Sequence, residues 1–64
     1  MKRNLLLKYL KEKGCQLHRE GNNHSVFINP KNKKKTAVPR HPDIRENTAF
    51  DICKQLGIPK PKIN

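Results

Sequence analysis

Arg19-Glu20-Gly21-Asn22-Asn23-His24-Ser25-Val26-Phe27 is the stretch that decides the fold. Its Gly-Asn-Asn centre predicts a turn, because glycine and asparagine tolerate positive φ. The segments on either side, residues 15–20 and 25–29, are rich in strand-forming side chains and are predicted to pair as a hairpin. A second turn signal, Asn29-Pro30-Lys31-Asn32, predicts another hairpin to a short strand over residues 36–39, because proline blocks continuation of a strand.

Helices are predicted on both sides of the three strands. Asn4 is expected to cap a first helix that ends near Lys13, before a left-handed Gly14. Asp43 is expected to cap a second helix that ends before Gly57. The second helix carries an apolar stripe at helical spacing, formed by Ile44, Ala49, Ile52, Cys53 and Leu56. The order α-β-β-β-α predicts an α+β domain, a three-stranded antiparallel sheet with both helices packed on one face and the other face exposed.

The chain is short and strongly basic. Its 64 residues predict a single domain over 1–64, with residues 60–64 as a flexible tail. Fifteen Lys and Arg residues against five Asp and Glu give a formal net charge of +10, which favours nucleic acid as the partner. No apolar run approaches the roughly 20 residues of a membrane span, and no signal peptide is recognisable. We therefore expect no membrane partner and a cytoplasmic location.

Two cysteines, Cys15 and Cys53, are too few and too far apart for a zinc site of paired Cys-x-x-Cys type. They are predicted to be reduced, buried thiols, and a disulfide between them stays open as an alternative. We expect neither a metal nor another cofactor.

Three histidines compete for a catalytic role. His24 lies where the first turn meets a strand, and an imidazole pKa of about 6.5 allows proton transfer near neutral pH. A lone histidine there is otherwise structural or merely exposed. His24 shares the strand parity of Val26 and Ile28, so an unbroken strand with those two in the core would bury it.

His18 is expected on a wet face without a special task. His41 lies between two prolines, and is either a second acid, a phosphate contact or a structural corner.

Basic residues are densest at the tip and descending strand of the second hairpin, and they comprise Lys31, Lys33, Lys34, Lys35 and Arg40. We predict that they form a mobile phosphate clamp whose RNA binding weakens with salt, and that the last strand brings Lys33, Lys34, Lys35 and Arg40 alongside His24. The alternative is a solvated loop that keeps the protein soluble. Arg19, Asn23 and His41 complete the predicted RNA-binding set.

Three stretches of the chain are together typical of one family. They are Asn4-Leu5-Leu6-Leu7-Lys8-Tyr9-Leu10 with Gly14 after it, the Gly21-x-Asn23-His24 turn with Phe27 beyond, and Ala37-Val38-Pro39-Arg40-His41 running into Ile52-Cys53-Lys54-Gln55-Leu56-Gly57-Ile58-Pro59. With them the chain resembles the HicA family of toxins from bacterial type II toxin–antitoxin pairs. The resemblance implies a fold like that of double-stranded-RNA-binding domains, cleavage of messenger RNA, and inhibition by a HicB-type antitoxin. It also implies that His24 is catalytic.

The chemistry of RNA fits such a chain. RNA carries its own nucleophile, the 2′-hydroxyl, so a metal-independent endoribonuclease needs chiefly a general base and positive charge on the phosphate. His24 would be the base, and the expected products are a 2′,3′-cyclic phosphate and a 5′-hydroxyl. Without a second evident acid, slow catalysis is expected.

A non-catalytic double-stranded-RNA-binding module is the alternative function. Such modules usually carry a lysine cluster at the start of the second helix, whereas residues 43–48 contain two acids and one arginine. The sequence gives no helix-turn-helix signal for a DNA-binding regulator, because strands separate the two predicted helices.

Overall fold

The structure is a computed structural model that describes residues 1–61. Its elements are α1 (Arg3–Glu12), β1 (Gln16–Glu20), β2 (His24–Asn29), β3 (Lys34–Pro39) and α2 (Glu46–Leu56). The three strands form one antiparallel sheet in the order β1-β2-β3. The predicted α+β architecture, α-β-β-β-α with a three-stranded antiparallel sheet, is confirmed. The observed strand limits differ from the predicted ones by up to two residues.

Both helices pack on the sheet face that carries Phe27 and Val38. The core consists of Leu6, Leu10, Cys15, Phe27, Val38, Ile44, Ala49, Ile52, Cys53 and Leu56. Leu6 and Leu10 lie one turn apart on α1, and Ile52 and Leu56 do the same on α2. Burial of each large apolar side chain is worth about 1.5–3 kcal/mol, so this cluster holds both helices on the sheet. No helix of residues 1–61 has the length and hydropathy of a membrane span.

The starts of both helices differ from the prediction, because backbone pairing replaces side-chain caps there. Lys2 and Asp43 form an isolated antiparallel bridge, and the Ile44 amide donates to the Met1 carbonyl at 2.7 Å. Asp43 is thus held in extended backbone three residues before α2 begins, and it is not the cap. The residue before α2 is Arg45, which makes no capping hydrogen bond with its side chain. Asn4 is not a cap either, since α1 already begins at Arg3.

The ends of both helices follow the prediction. Gly14 has a φ of 86° and Gly57 a φ of 72°, which are left-handed values that favour glycine. Beyond Gly57, the Ile58 amide donates to the Cys53 carbonyl at 3.0 Å and closes the last turn of α2. The chain then stays against the domain, because the Lys60 ammonium lies 5.0 Å from the centre of the Phe50 ring. Residues 62–64 of the predicted tail lie outside the described part.

The turn between β2 and β3 is tied to the end of α2. Asn29 is buried, and its Nδ2 donates to the Leu56 carbonyl at 2.8 Å. Asn32 donates to the same oxygen at 3.1 Å. The left-handed residue of this turn is Lys33, with a φ of 60°, and not an asparagine as expected. The predicted mobility of this segment therefore conflicts with two side-chain hydrogen bonds that anchor it.

The two cysteines are free thiols in the core, as predicted. Burial, and to a smaller degree the neighbouring Cys15, raises the pKa of Cys53 to about 11. Burial also raises the pKa of Cys15. Since the thiolate is the reactive form, both thiols are chemically inert near neutral pH.

Candidate active site

His24 is the first residue of β2, and its side chain is exposed. The buried positions of β2 are Ser25, Phe27 and Asn29, whereas Val26 and Ile28 lie on the opposite face with His24. The condition under which strand alternation would bury His24 is therefore not met. Phe27 packs in the core, and because side chains alternate along a strand, residues 25 and 29 share its side whereas residues 24, 26 and 28 lie on the other.

One groove brings together several predicted site residues. It has a volume of about 380 Å³ and is lined by Asn22, Asn23, His24, Pro39, Arg40 and His41. His24 and Pro39 lie directly opposite each other on β2 and β3, and His41 follows two residues later. Both imidazoles are exposed. The groove therefore presents two exposed imidazoles among its lining residues.

Arg40 braces the turn from which His24 emerges. Its Nη1 donates to the Asn22 carbonyl at 3.1 Å, and its Nη2 donates to the Gly21 carbonyl and to Glu20 Oε2, the latter at 3.0 Å. The exposed ion pair alone is worth at most about 1 kcal/mol, but the two carbonyl contacts fix the path of the turn. Arg40 was predicted as a phosphate contact, and the structure gives its guanidinium three partners within the protein.

The first turn is not built on positive φ. Among residues 1–61 that conformation occurs at Gly14, Lys33 and Gly57 only, so the prediction is wrong for the turn beside His24. Gly21 has another reason to be glycine. Its amide donates to the His24 carbonyl at 2.8 Å, and a Cβ on Gly21 would lie 3.1 Å from that oxygen. Glycine is favoured here because two backbone segments approach closely, and not because the residue has a positive φ.

Arg3 fixes the sheet beside His24 from the side of α1, and sequence reasoning missed it. Its Nε donates to the Pro39 carbonyl at 2.9 Å and its Nη2 to Ser25 Oγ at 2.9 Å. Both acceptors are immediate neighbours of His24, one along β2 and one across the sheet. An arginine at the start of an amphipathic helix looks like an ordinary polar residue, so the sequence holds no signal for this contact.

Further basic residues surround the groove. A neighbouring cavity of about 420 Å³ shares Arg40 with it and adds Lys2 and Arg3. Another, of about 590 Å³, shares His41 with it and adds Arg45 and Thr48 at the start of α2. Lys2, Arg3 and Arg45 thus line cavities that adjoin the groove, and the acidic Asp43 lines both of these cavities.

The lysine cluster lies at the other end of the sheet. Lys34 pairs with Asn29 and Lys35 with Ile28, whereas His24 pairs with Pro39. Five residues along β2, at about 3.4 Å each, separate the two ends by about 17 Å. The prediction that β3 brings Lys33, Lys34 and Lys35 alongside His24 is therefore wrong, and Arg40 alone of that run lies there. In an antiparallel hairpin the residues near the turn are the farthest from the open end.

The remaining predicted residues divide between the groove and its surroundings. Asn23 lines the groove, whereas Lys31 belongs to the distant turn. Arg19 lies opposite Val26 and so shares the exposed face of the sheet with His24. His18 lies where the register of β1 and β2 shifts, outside the groove. Within residues 1–61, no three His, Cys, Asp or Glu side chains are grouped so that they could hold a metal ion.

Comparison with known proteins gives one result. A family model described as "HicA toxin of bacterial toxin-antitoxin" matches residues 4–58, which include the whole sheet with His24, all of α2 and all of α1 except Arg3. The resemblance carried by the three sequence stretches is thereby confirmed. Neither the curated proteins nor the solved structures contain a significant match to this chain.

Proposed function

Because this chain belongs to the HicA family of toxins from bacterial toxin–antitoxin systems, we propose that it is a cytoplasmic, metal-independent endoribonuclease that cleaves messenger RNA. The observation that carries the proposal is the exposed imidazole of His24 in a groove surrounded by arginines and a lysine. In this mechanism His24 is the general base.

The reaction uses groups that RNA and the groove both supply. A neutral His24 nitrogen takes the proton of a 2′-hydroxyl, and the 2′-oxygen attacks the adjacent phosphorus. Negative charge grows on the phosphate oxygens, where nearby cationic side chains stabilise it. Cleavage leaves a 2′,3′-cyclic phosphate and a 5′-hydroxyl. A positioned general base contributes about 10² to 10⁴ in rate.

The RNA is proposed to cross the exposed face of the sheet. Arg19, Asn23 and His41 would contact it near the reacting phosphate, together with the donors of Arg40 that do not hold the turn. The turn lysines contact phosphates farther along the strand, because about 17 Å separates them from His24. They comprise Lys31, Lys33, Lys34 and Lys35.

A toxin of this family acts with a cognate antitoxin. The proposed partner is a protein of HicB type that covers the groove with an acidic surface. With a net charge of +10 on the toxin, such a surface associates rapidly and excludes RNA from the same place.

The experiment that tests this function compares His24→Ala with His18→Ala. His18 is also an exposed sheet histidine, but it does not line the groove. We expect His24→Ala to lose about 10² to 10⁴ in the rate of messenger RNA cleavage and to stop arresting growth. The His18→Ala protein should cleave like the wild type, in the presence of EDTA as well. Mass spectrometry of the wild-type products should show the cyclic phosphate. A folded His24→Ala protein with full activity would remove the basis of the proposal.

A second candidate is favoured by the fold alone. The α-β-β-β-α order is also that of non-catalytic double-stranded-RNA-binding modules. Tight binding to duplex RNA, with no cleavage of any RNA, would favour that function. The expected result is the opposite, because two acids and one arginine stand where such modules carry lysines.

A further inference from the structure

We propose that His41 is the general acid of the reaction, which donates its proton to the departing 5′-oxygen. This assignment rests on the proposed ribonuclease activity and adds a second catalytic residue to it. His41 lines the same groove as His24. The two histidines would thus divide the two proton transfers of one displacement at phosphorus.

The placement of His41 follows from the register of the sheet. Pro39 is the cross-strand partner of His24, so the two share the exposed face. His41 follows Pro39 by two residues and lines the same groove as His24. The residue between them, Arg40, is directed instead to the β1–β2 turn.

His41 is held in place without being buried. The two carbonyls on either side of it both accept from Arg3: the Pro39 oxygen from Nε and the Pro42 oxygen from the backbone amide, each at 2.9 Å. Pro42 also restricts the backbone of the residue before it to an extended conformation. A residue fixed at both ends, with its side chain exposed in a groove, is suited to act on a bound substrate rather than to fill a corner.

A second group completes the proton transfers of the reaction within the groove. The bond from the 2′-oxygen to phosphorus forms and its proton passes to His24. The bond from phosphorus to the 5′-oxygen breaks, and without an acid the oxygen would leave as an alkoxide. A proton from His41 makes it a hydroxyl, so that the cleavage needs no other reactant.

Charges of both signs face His41. Arg40 and His24 face it from the groove, and Asp43 and Arg45 face it from the segment that leads into α2. Since His24 must be neutral and His41 protonated, the rate of cleavage should show a bell-shaped pH profile.

The test uses RNA in which the scissile 5′-oxygen is replaced by sulfur. A thiolate leaves without protonation, so an acid contributes little to cleavage of that bond. We expect His41→Ala to slow cleavage of ordinary RNA by about 10² to 10⁴ and to cleave the sulfur substrate at close to the wild-type rate. The alkaline limb of its pH profile should vanish. The His24→Ala protein should cleave both substrates slowly, whereas the His18→Ala protein should cleave both at the wild-type rate.

Two results would overturn the assignment while the ribonuclease proposal stands. If His41→Ala is equally slow on both substrates, His41 is a phosphate contact or a positioning residue. If it is fast on both, His41 has no role in the reaction. A fast His24→Ala protein would instead overturn the ribonuclease proposal itself. Thermal unfolding of each variant establishes that the compared proteins are folded.

Discussion

The two ends of the β2–β3 hairpin differ in how they are held. At the open end, arginine side chains tie neighbouring segments together: Arg40 braces the turn before His24, and Arg3 joins Ser25 to Pro39. At the closed end, Asn29 and Asn32 bind the last carbonyl of α2. The comparison teaches that the run of lysines and the proposed catalytic histidine lie at separate ends of the hairpin. The closed end carries lysines on an anchored turn, whereas the open end carries a solvent-exposed groove lined by His24, Arg40 and His41.

Among changes to the contacts that hold the two ends, removal of the Arg40 brace is expected to have the largest effect on kcat. Arg40→Ala should lower kcat by on the order of 10²-fold, because a displacement of about 1 Å at a catalytic group has that consequence. Arg40→Lys should not restore kcat, since a lysine cannot bridge Asn22, Gly21 and Glu20 together. Lys8→Ala, which removes an exposed charge of α1, is the control. If Arg40→Lys cleaves at the wild-type rate, Arg40 acts as a charge and not as a brace.

The anchor of the closed end should govern stability instead of catalysis. Asn29→Ala removes a buried donor to Leu56 and an acceptor for the Lys31 amide, and is expected to cost about 1–3 kcal/mol in the free energy of unfolding. Asn32→Ala should cost less, because that side chain is more exposed. Urea unfolding measures both. A kcat for Asn29→Ala that falls as far as that of Arg40→Ala would contradict the separation of the two ends.

The lysines of the closed end should affect RNA affinity alone. Lys31→Ala with Lys35→Ala is expected to reduce the slope of log affinity against log salt by about 1.4, at about 0.7 per single-strand phosphate. The kcat of this double variant at saturating RNA should equal that of the wild type. A salt titration of binding, together with single-turnover cleavage, checks both expectations. An unchanged slope would show that these side chains only solvate the turn.

The smallest effect is expected from Cys53, whose ionisation changes the stability of the protein only at alkaline pH. Cys53 lies on α2, one turn before the carbonyl that anchors the closed end. Its pKa is raised from 9.0 to about 11, so the unfolded chain loses this proton first as pH rises. The contribution of this thiol to stability should therefore be constant below about pH 9 and be lost between about pH 9 and 11. Cys53→Ala should lose most of this dependence in thermal unfolding scans across that range, whereas Lys8→Ala should keep it.

The sequence predicted what depends on local chemistry. The order of elements, the apolar stripe of α2 from Ala49 to Leu56 and the left-handed Gly14 and Gly57 follow from periodicity and from the conformational freedom of glycine. Ile44, which was predicted as part of that stripe, is buried but lies two residues before α2 begins. Asp43 failed as a cap because pairing with Lys2, which is distant in sequence, competes for the same backbone. Tertiary contacts of this kind leave no mark on the residues nearby.

The site was predictable in part. His24 and Asn23 were found from the turn, but the face of His24 was not, because Val26, Phe27 and Ile28 are all apolar and show no alternation. The lysines were misplaced because nearness in sequence was taken for nearness in space. Arg40 follows Lys35 closely along the chain, yet the two lie at opposite ends of β3. Arg3 was missed because its partners are about 20 to 40 residues away.

The contacts of Arg3 also bear on when the groove comes into existence during folding. The bond from Arg3 to Pro39 spans 36 residues of chain, and the bond to Ser25 spans 22. Closing long loops costs chain entropy before any contact rewards it, so such contacts form late. A chain still on the ribosome with only α1 and the first hairpin exposed has His24 but neither Pro39 nor His41. The groove is therefore complete only after the third strand has emerged and docked, so a nascent chain lacks the proposed active site until then.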